Sequence, residues 1–430
     1  MMQGFIFDSG KCVRCNACSA ACFLENGWAK TRQAYTWNEE ARPGLPVFNL
    51  SLACNHCENP TCLQACPAKC YTHDGSTGAI LLNQENCLGC KYCAWNCPYK
   101  APRFNRQKRI MEKCNLCYSA VAEGDMPSCV NACPTGALAF GGLPSENNVP
   151  EWFHVKKLNP RISFADGPDR KIRTVPENKF EPVPGKKASM RWKDSDTSLA
   201  VFTFLVTILV SVVSATLLKG KFPGKFIVIS LSMAAALVSL IHLGKPLRAW
   251  KSVLNIRSSP LSREILIFIV FSVLSFSAVY FQNYMLLIFA VASGLITLII
   301  IDSVYNHVCS SSWFHSGQTF LTSLLLISYL TASLTPFTFV VMIKMAMSVR
   351  LLIKKKEMFP ALRYLRIIIL FTVWAGLISG FNQADSSIFV ILLMGEVADR
   401  LLFYSDFQPE NIRIQIDRHL TKYINEEKRG

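Results

Sequence analysis

Residues 87–98 read CLGCKYCAWNCP: three cysteines at three-residue intervals (Cys87, Cys90, Cys93), a fourth at Cys97, and a proline directly after it. This is the ligand run of cubane iron–sulfur clusters, in which three thiolates hold one cube and the fourth crosses to a partner cube. The spacing recurs on both sides. CVRCNACSAACF at 12–23 supplies Cys12, Cys15, Cys18 and Cys22 without the proline. CNHCENPTCLQACP at 54–67 supplies Cys54, Cys57, Cys62 and Cys66, and CNLC at 114–117 is joined by a long loop to CPTG at 133–136, adding Cys114, Cys117, Cys129 and Cys133. Both carry insertions before the third cysteine. Sixteen of the 18 cysteines thus read as an electron wire; Cys70 and Cys309 read as buried thiols that behave as small apolar residues.

Other uses of cysteine fit less well. Disulfide scaffolds are small and lack a CxxCxxC period, and a tetrahedral zinc site needs two cysteine pairs with no third cysteine three residues on. The clusters are expected to staple the domain, because short elements separated by Gly and Pro cannot bury a large core. Runs such as Gly4–Phe7 and Ala79–Leu82, followed by helical turns, predict ferredoxin-type βαβ units.

The 430-residue chain changes character near residue 198. Before it the sequence is charged and rich in Cys, Pro and Gly. After it come about eight apolar stretches, the source of the mean hydropathy of +0.26. The boundaries read as a cluster domain at 1–145, an extended linker at 146–197 that Trp152 and Phe153 would pin down, a membrane domain at 198–405 and a polar tail at 406–430. The formal charge of +16 falls largely in the linker and the membrane-flanking loops, so lipid accounts for it and nucleic acid is not indicated. The N-terminus shows no apolar targeting run and no twin arginine, so any export would depend on a partner.

The expected spans are Leu199–Leu218, Phe226–Leu243, Ile265–Phe281, Met285–Ile301, Phe320–Leu334, Phe337–Ile353, Ile367–Phe381 and Ile388–Tyr404, an all-α bundle of eight. Polar residues gather toward the cluster-domain face: His242, Arg248, Arg263, Glu264, Asp302, Tyr305, Asn306, His307, Glu396 and Arg400. Ionisable groups at membrane depth are costly, which makes these candidates for a quinol site with a proton route. His242 is the first choice for the quinol contact, with Glu396, Asp302 or Glu264 passing protons. Headgroup contacts by Lys245, Arg248 and Lys251 and an i, i+4 pair between Glu396 and Arg400 are the structural alternatives.

Residues 4 to about 141 resemble the four-cluster electron-transfer subunit of the bacterial dimethyl sulfoxide reductase family, through CNHCENPTC, CPYKAPRFN, EKCNLCYSAVAEG and CPTGALAFG in that order. The resemblance implies a double ferredoxin-like fold and four ligand sets: Cys12, Cys15, Cys18 with Cys133; Cys54, Cys57, Cys62 with Cys97; Cys66 with Cys87, Cys90, Cys93; and Cys22 with Cys114, Cys117, Cys129. With every position a cysteine, four [4Fe-4S] cubes are expected. IHLGKPLRAWKSVLNIRSSPLSREI, VYN at 304–306 with Trp313, and MGEVADRLLFY at 394–404 are similar to that family's membrane anchor, whose menaquinol-associated histidine falls on His242. The chain thus resembles a fusion of two subunits, and the resemblance implies menaquinol as donor, a separate molybdopterin catalytic subunit as partner, and a place in the bacterial inner membrane. Positive charge near the clusters predicts a cytoplasmic face, whereas the resemblance implies a periplasmic one. Reverse electron flow from a dehydrogenase, ion translocation through broken helices, and a redox-silent anchor are the competing readings.

Overall fold

The computed structural model describes residues 3–27, 31–37, 47–144, 149–150, 153, 158–165, 197–308, 315–354, 360–380, 386–407, 412 and 415–416. Trp152, Cys309, Trp313, Lys355, Lys356 and most of the expected linker lie outside them, as do the side chains of His307 and Lys354. The chain divides into two compact units, Met1–Met190 with Pro409–Gly430, and Arg191–Gln408.

In the first unit β1 (Gln3–Phe7) is the middle strand of a three-stranded sheet. It pairs antiparallel with β8 (Leu138–Gly142) and parallel with β9 (Ile162–Phe164). Gly4 is required where these strands meet, because a Cβ there would stand 2.5 Å from the Arg161 carbonyl oxygen. Between β1 and β8 three antiparallel hairpins, β2–β3 (Gln33–Trp37, Phe48–Leu52), β4–β5 (Tyr71–His73, Ile80–Leu82) and β6–β7 (Arg103–Asn105, Ile110–Glu112), alternate with short helices. These are α1 (Ala17–Asn26), α2 (Thr61–Ala65), α3 (Tyr92–Asn96), α4 (Tyr118–Ala122) and α5 (Ser128–Asn131). Cys18 and Cys22 lie within α1, Cys62 within α2, Cys93 within α3 and Cys129 within α5.

The core of this unit is small and aromatic. Phe5, Phe7, Phe140, Phe153 and Phe164 pack with Leu138, Leu158 and Ile162, and Phe5–Phe140 and Phe7–Phe164 meet edge to face at 5.6 and 6.1 Å. Phe153 stacks on Tyr99 at 5.0 Å and accepts its hydroxyl proton at 3.1 Å through its carbonyl oxygen. The segment read as a linker therefore supplies both a strand, β9, and a fully buried ring. The tail also contributes: Ile412 and Ile416 are buried in the same core, and the Ile412 N–H donates to the Pro98 carbonyl at 2.9 Å.

The second unit is helical: α6 (Thr197–Lys219), α7 (Lys225–Ile241), α8 (Pro260–Phe281), α9 (Tyr284–Val308), α10 (Thr319–Leu330), α11 (Leu334–Lys354), α12 (Pro360–Ile378) and α13 (Ser386–Asp406), with a 3-10 segment at Pro246–Val253. Five helices, α6, α8, α9, α11 and α12, are long and apolar enough to cross a membrane; a sixth span arises if α7 and the 3-10 segment, bent by 105°, count as one. The expected fifth span stops short because Ala332 takes a left-handed φ of 56° just past α10. Its 12 residues reach about 18 Å, against a hydrocarbon core of about 30 Å. α13 has the length but carries Glu396, Asp399, Arg400 and Asp406.

Candidate metal centres and a buried ionic site

Each CxxCxxC loop turns through residues with left-handed backbone: Arg14 (φ 55°) and Asn16 (63°), His56 (44°), Lys91 (61°), and Leu116 (68°) with Cys117 (48°). Non-glycine residues hold such conformations only where the surroundings over-determine them, as at ligand clamps. The loops gather sulfurs from distant parts of the chain. Cys12 lies beside Cys15, Cys18 and Cys133, and Cys57 beside Cys54, Cys62 and Cys97. Cys90 has Cys66 and Cys87 as neighbours, with Cys93 beside Cys90 and Cys66. Cys129 lies near Cys117, Cys22 and Cys18, and Cys114 near Cys54 and Cys129, so these sulfurs also adjoin those of the neighbouring groups.

Two of these groups surround pockets. One of about 380 Å³ is lined by Cys54, Cys57, Cys62 and Cys97; another of about 300 Å³ is lined by Cys66, Cys87, Cys90 and Cys93, with Cys70 as a fifth thiol. Among the described residues no three His, Cys, Asp or Glu side chains converge closely enough to hold a single metal ion. The sulfurs are instead set around a space, as donors to a bulkier group must be. Burial raises the Cys90 and Cys114 thiols to about 12 and Cys97 to about 11, with neighbouring cysteines adding to the rise. Four adjacent buried thiolates are tenable only around a cationic group, which makes the donor set suitable for iron.

Buried cations also stand among the sulfurs. Burial lowers the Arg32 guanidinium, but Cys129, Cys114, Cys18 and Cys22 more than reverse this; Arg32 lies 4.5 Å over the Phe5 ring and donates to Ser51 Oγ at 3.2 Å. Lys113 lines the larger pocket and donates to the carbonyls of Ile80 and Cys114. His56 is fully buried and kept neutral, its pKa held well below the usual range by burial and then by Lys113, while its Nδ1 accepts the Ile80 N–H at 2.9 Å. None of the three was anticipated. Lys113 had a legible signal, being a basic residue directly before a ligand cysteine.

In the helical unit the expected polar residues separate. His242 caps α7 at the 105° bend and is half-buried; Arg248 lies half-buried in the 3-10 segment, which packs on α7 and α8. Glu264 is buried on α8 with Arg400 and Asp302 as charged neighbours. Arg263 instead turns outward, its Nε donating to the Ile256 carbonyl at 2.9 Å and another nitrogen to the Arg257 carbonyl. Asp302 accepts the N–H groups of Thr319 and Phe320 at 2.9 and 3.0 Å, so its carboxylate caps α10.

The alternative of a Glu396–Arg400 pair is not realised, because the two side chains serve different helices. Arg400 donates to Thr203 Oγ1 at 2.9 Å and the Gly317 carbonyl at 2.8 Å, and lies 4.5 to 5.6 Å over Phe403, Tyr404 and Tyr305. Glu396 meets Lys344 Nζ at 2.6 Å, and Asp399 meets Arg366 at 2.7 Å, all four buried. Thr322 and Ser316 donate to these carboxylates at 2.9 and 2.8 Å. Farther along α13, Asp406 pairs with Arg363 at 2.6 Å and His315 at 3.4 Å. Basic residues inside the apolar helices α11 and α12 were the signal for these partners.

Residues 46–143 match the family model of the 4Fe-4S dicluster domain. The first unit is thus an iron–sulfur electron-transfer domain. The B subunit of the anaerobic dimethyl sulfoxide reductase of Haemophilus influenzae is 39% identical over 152 residues, 33% of this chain and 74% of the relative. The thiosulfate reductase electron transfer subunit PhsB of Salmonella typhi is 33% identical over 159 residues, covering 36% and 82%. The iron–sulfur subunit of the nitrate-inducible formate dehydrogenase of Escherichia coli K12 is 34% identical over 155 residues, covering 32% and 53%. This protein belongs to the family of iron–sulfur subunits typified by that of dimethyl sulfoxide reductase. These matches cover its N-terminal third, and the membrane-capable helices follow.

Proposed function

We propose that this chain is both electron-transfer subunit and membrane anchor of a respiratory complex. It takes electrons from menaquinol in the helical unit and delivers them to a separate molybdopterin catalytic subunit, with dimethyl sulfoxide or a related oxidised compound as terminal acceptor. The observation that carries this reading is the pair of pockets each lined by four motif cysteines, in a domain whose relatives are named as reductase and dehydrogenase subunits. The ligand sets are those implied by the resemblance, and the neighbourhoods and the two quartet-lined pockets support them. Four [4Fe-4S] clusters, when bound, supply one-electron carriers.

Menaquinol gives up two electrons and two protons, so its site needs an acceptor for a hydroxyl proton. His242, at the bend after α7, and Glu264, buried on the adjoining α8, are placed on packed elements and suit the two roles. Arg248 lies on the 3-10 segment between them in sequence; Arg263 instead ties down the turn at Ile256 and Arg257 that follows it. Glu396 is a structural partner of Lys344 in this reading.

The buried ions of α11–α13 favour one competing reading, proton translocation, but the pairing of Lys344 and Arg366 with Glu396 and Asp399 describes a neutral lock. The deciding experiment is reduction of the clusters in membranes by a menaquinol analogue, followed by EPR. His242→Ala is expected to abolish quinol-driven reduction while dithionite still reduces every cluster. Equal loss of both, or retention of the quinol route, overturns the site. A proton gradient formed in proteoliposomes during turnover would favour translocation, and cluster potentials all well below that of menaquinone would favour reverse flow.

A further inference from the structure

Five thiols line the pocket of Cys66, Cys87, Cys90 and Cys93, whereas the neighbouring pocket of Cys54, Cys57, Cys62 and Cys97 has only its four. The extra one, Cys70, is 2% exposed. A tight turn after Cys66, with Lys69 at φ 50°, carries the Cys70 backbone N–H to Cys66 Sγ at 3.3 Å. The Cys70 carbonyl accepts the Asn83 N–H at 2.8 Å, which fixes the residue at the base of the β4–β5 hairpin. From there its thiol borders the same pocket as the sulfurs of Cys66 and Cys87 and is their neighbour. The competing acceptor, the Ala68 carbonyl, is 3.8 Å away.

We propose that Cys70 is a positioning residue for the cluster held by Cys66, Cys87, Cys90 and Cys93: it stays outside the iron ligation and donates its S–H to the ligating sulfurs of Cys66 and Cys87, raising the potential of that cluster alone. The inference rests on the cluster reading above. A ligating sulfur carries negative charge and is a better acceptor than an amide oxygen at long range, so the single thiol proton turns toward it. Hydrogen bonds to cluster sulfurs favour the more negative, reduced state and thus raise the reduction potential. Cys70 thereby adds an electrical difference between two pockets with otherwise matching thiol sets, beside the Lys113 cation that lines the other one.

The test is a stepwise anaerobic redox titration of the full chain in membranes, followed by EPR, for the wild type, Cys70→Ala and Cys70→Ser. Iron content is expected to be the same in all three. In Cys70→Ala one cluster signal shifts to a more negative midpoint and loses its coupling to an exchangeable proton in ENDOR spectra. In Cys70→Ser, whose O–H still donates, that coupling persists and the shift is smaller. Should the alanine variant fail to fold, Cys70→Val removes the donor without leaving a void. Unmoved midpoints at full iron content overturn the proposal. So does loss of one cluster in Cys70→Ala or Cys70→Val with its retention in Cys66→Ala, since Cys70 would then be the ligand. A wild type lacking iron instead overturns the cluster reading itself, which keeps the two failures distinct.

Discussion

The two units bury groups that water would otherwise solvate, and they do so by opposite means. The first packs thiols against one another in a fold of three- to five-residue strands, with Arg32 and Lys113 as buried cations among them and a bound cationic group to complete the neutralisation. The second buries Lys344, Arg366, Glu396 and Asp399, each cation beside an anion already in the chain. A domain built the first way is conditional on its cofactor. A bundle built the second way carries its own neutralisation, with geometry fixed by helix-to-helix pairing.

Removal of iron should separate the units most sharply. Anaerobic chelation under mild denaturant is expected to make residues 1–165 susceptible to protease while the helices of 197–406 stay resistant, since metal binding of this kind is also folding free energy. Protection of both units after complete iron loss would show that the aromatic core of Phe5, Phe7, Phe153 and Phe164 suffices by itself.

The converse perturbation is Lys344→Met, which leaves Glu396 buried without its closest cation. Breaking a buried pair from one side costs about 3–5 kcal/mol, whereas replacing both partners with apolar residues of similar volume is often close to neutral. Lys344→Met with Glu396→Leu should therefore recover much of the thermal stability, in detergent, that Lys344→Met loses. The EPR spectra of the cluster unit should be unchanged in both. Absence of rescue would mean that the quartet acts through all four members together.

The legibility of each unit follows from the same contrast. Thiolate ligation has a fixed local spacing, so the cysteine runs and the strand at Gly4–Phe7 could be read directly. Phe153 could be read as an aromatic anchor in a polar stretch, whereas Cys70 and Arg32 act through contacts distant in sequence, and no local spacing marks them. In the bundle, hydropathy located the eight helices but overstated α10, because a left-handed Ala332 ends it early and no apolar count registers that. Residue type identified Glu396 as costly at depth but could not tell which charge answers it. An i, i+4 partner on its own helix was the structural alternative the sequence offered, and Lys344, 52 positions away, is the observed partner.

The smallest expected effect concerns the chain's last described residues, which belong to the first unit although they follow the helices in sequence. Ile412 and Ile416 stand four residues apart, and both are buried in the core containing Phe153 and Tyr99. The Ile412 N–H also holds the carbonyl of Pro98, the residue after Cys97. Ile416→Ala should cost about 2–5 kcal/mol, a range that begins below that of the broken ion pair. That loss should appear in protease resistance of the cluster unit and in retention of the cluster assigned to Cys54, Cys57, Cys62 and Cys97, leaving the helical unit unaffected. If the loss fell on the helical unit instead, the tail would belong with the bundle, and the division between cofactor-dependent and self-neutralised regions would need a different boundary.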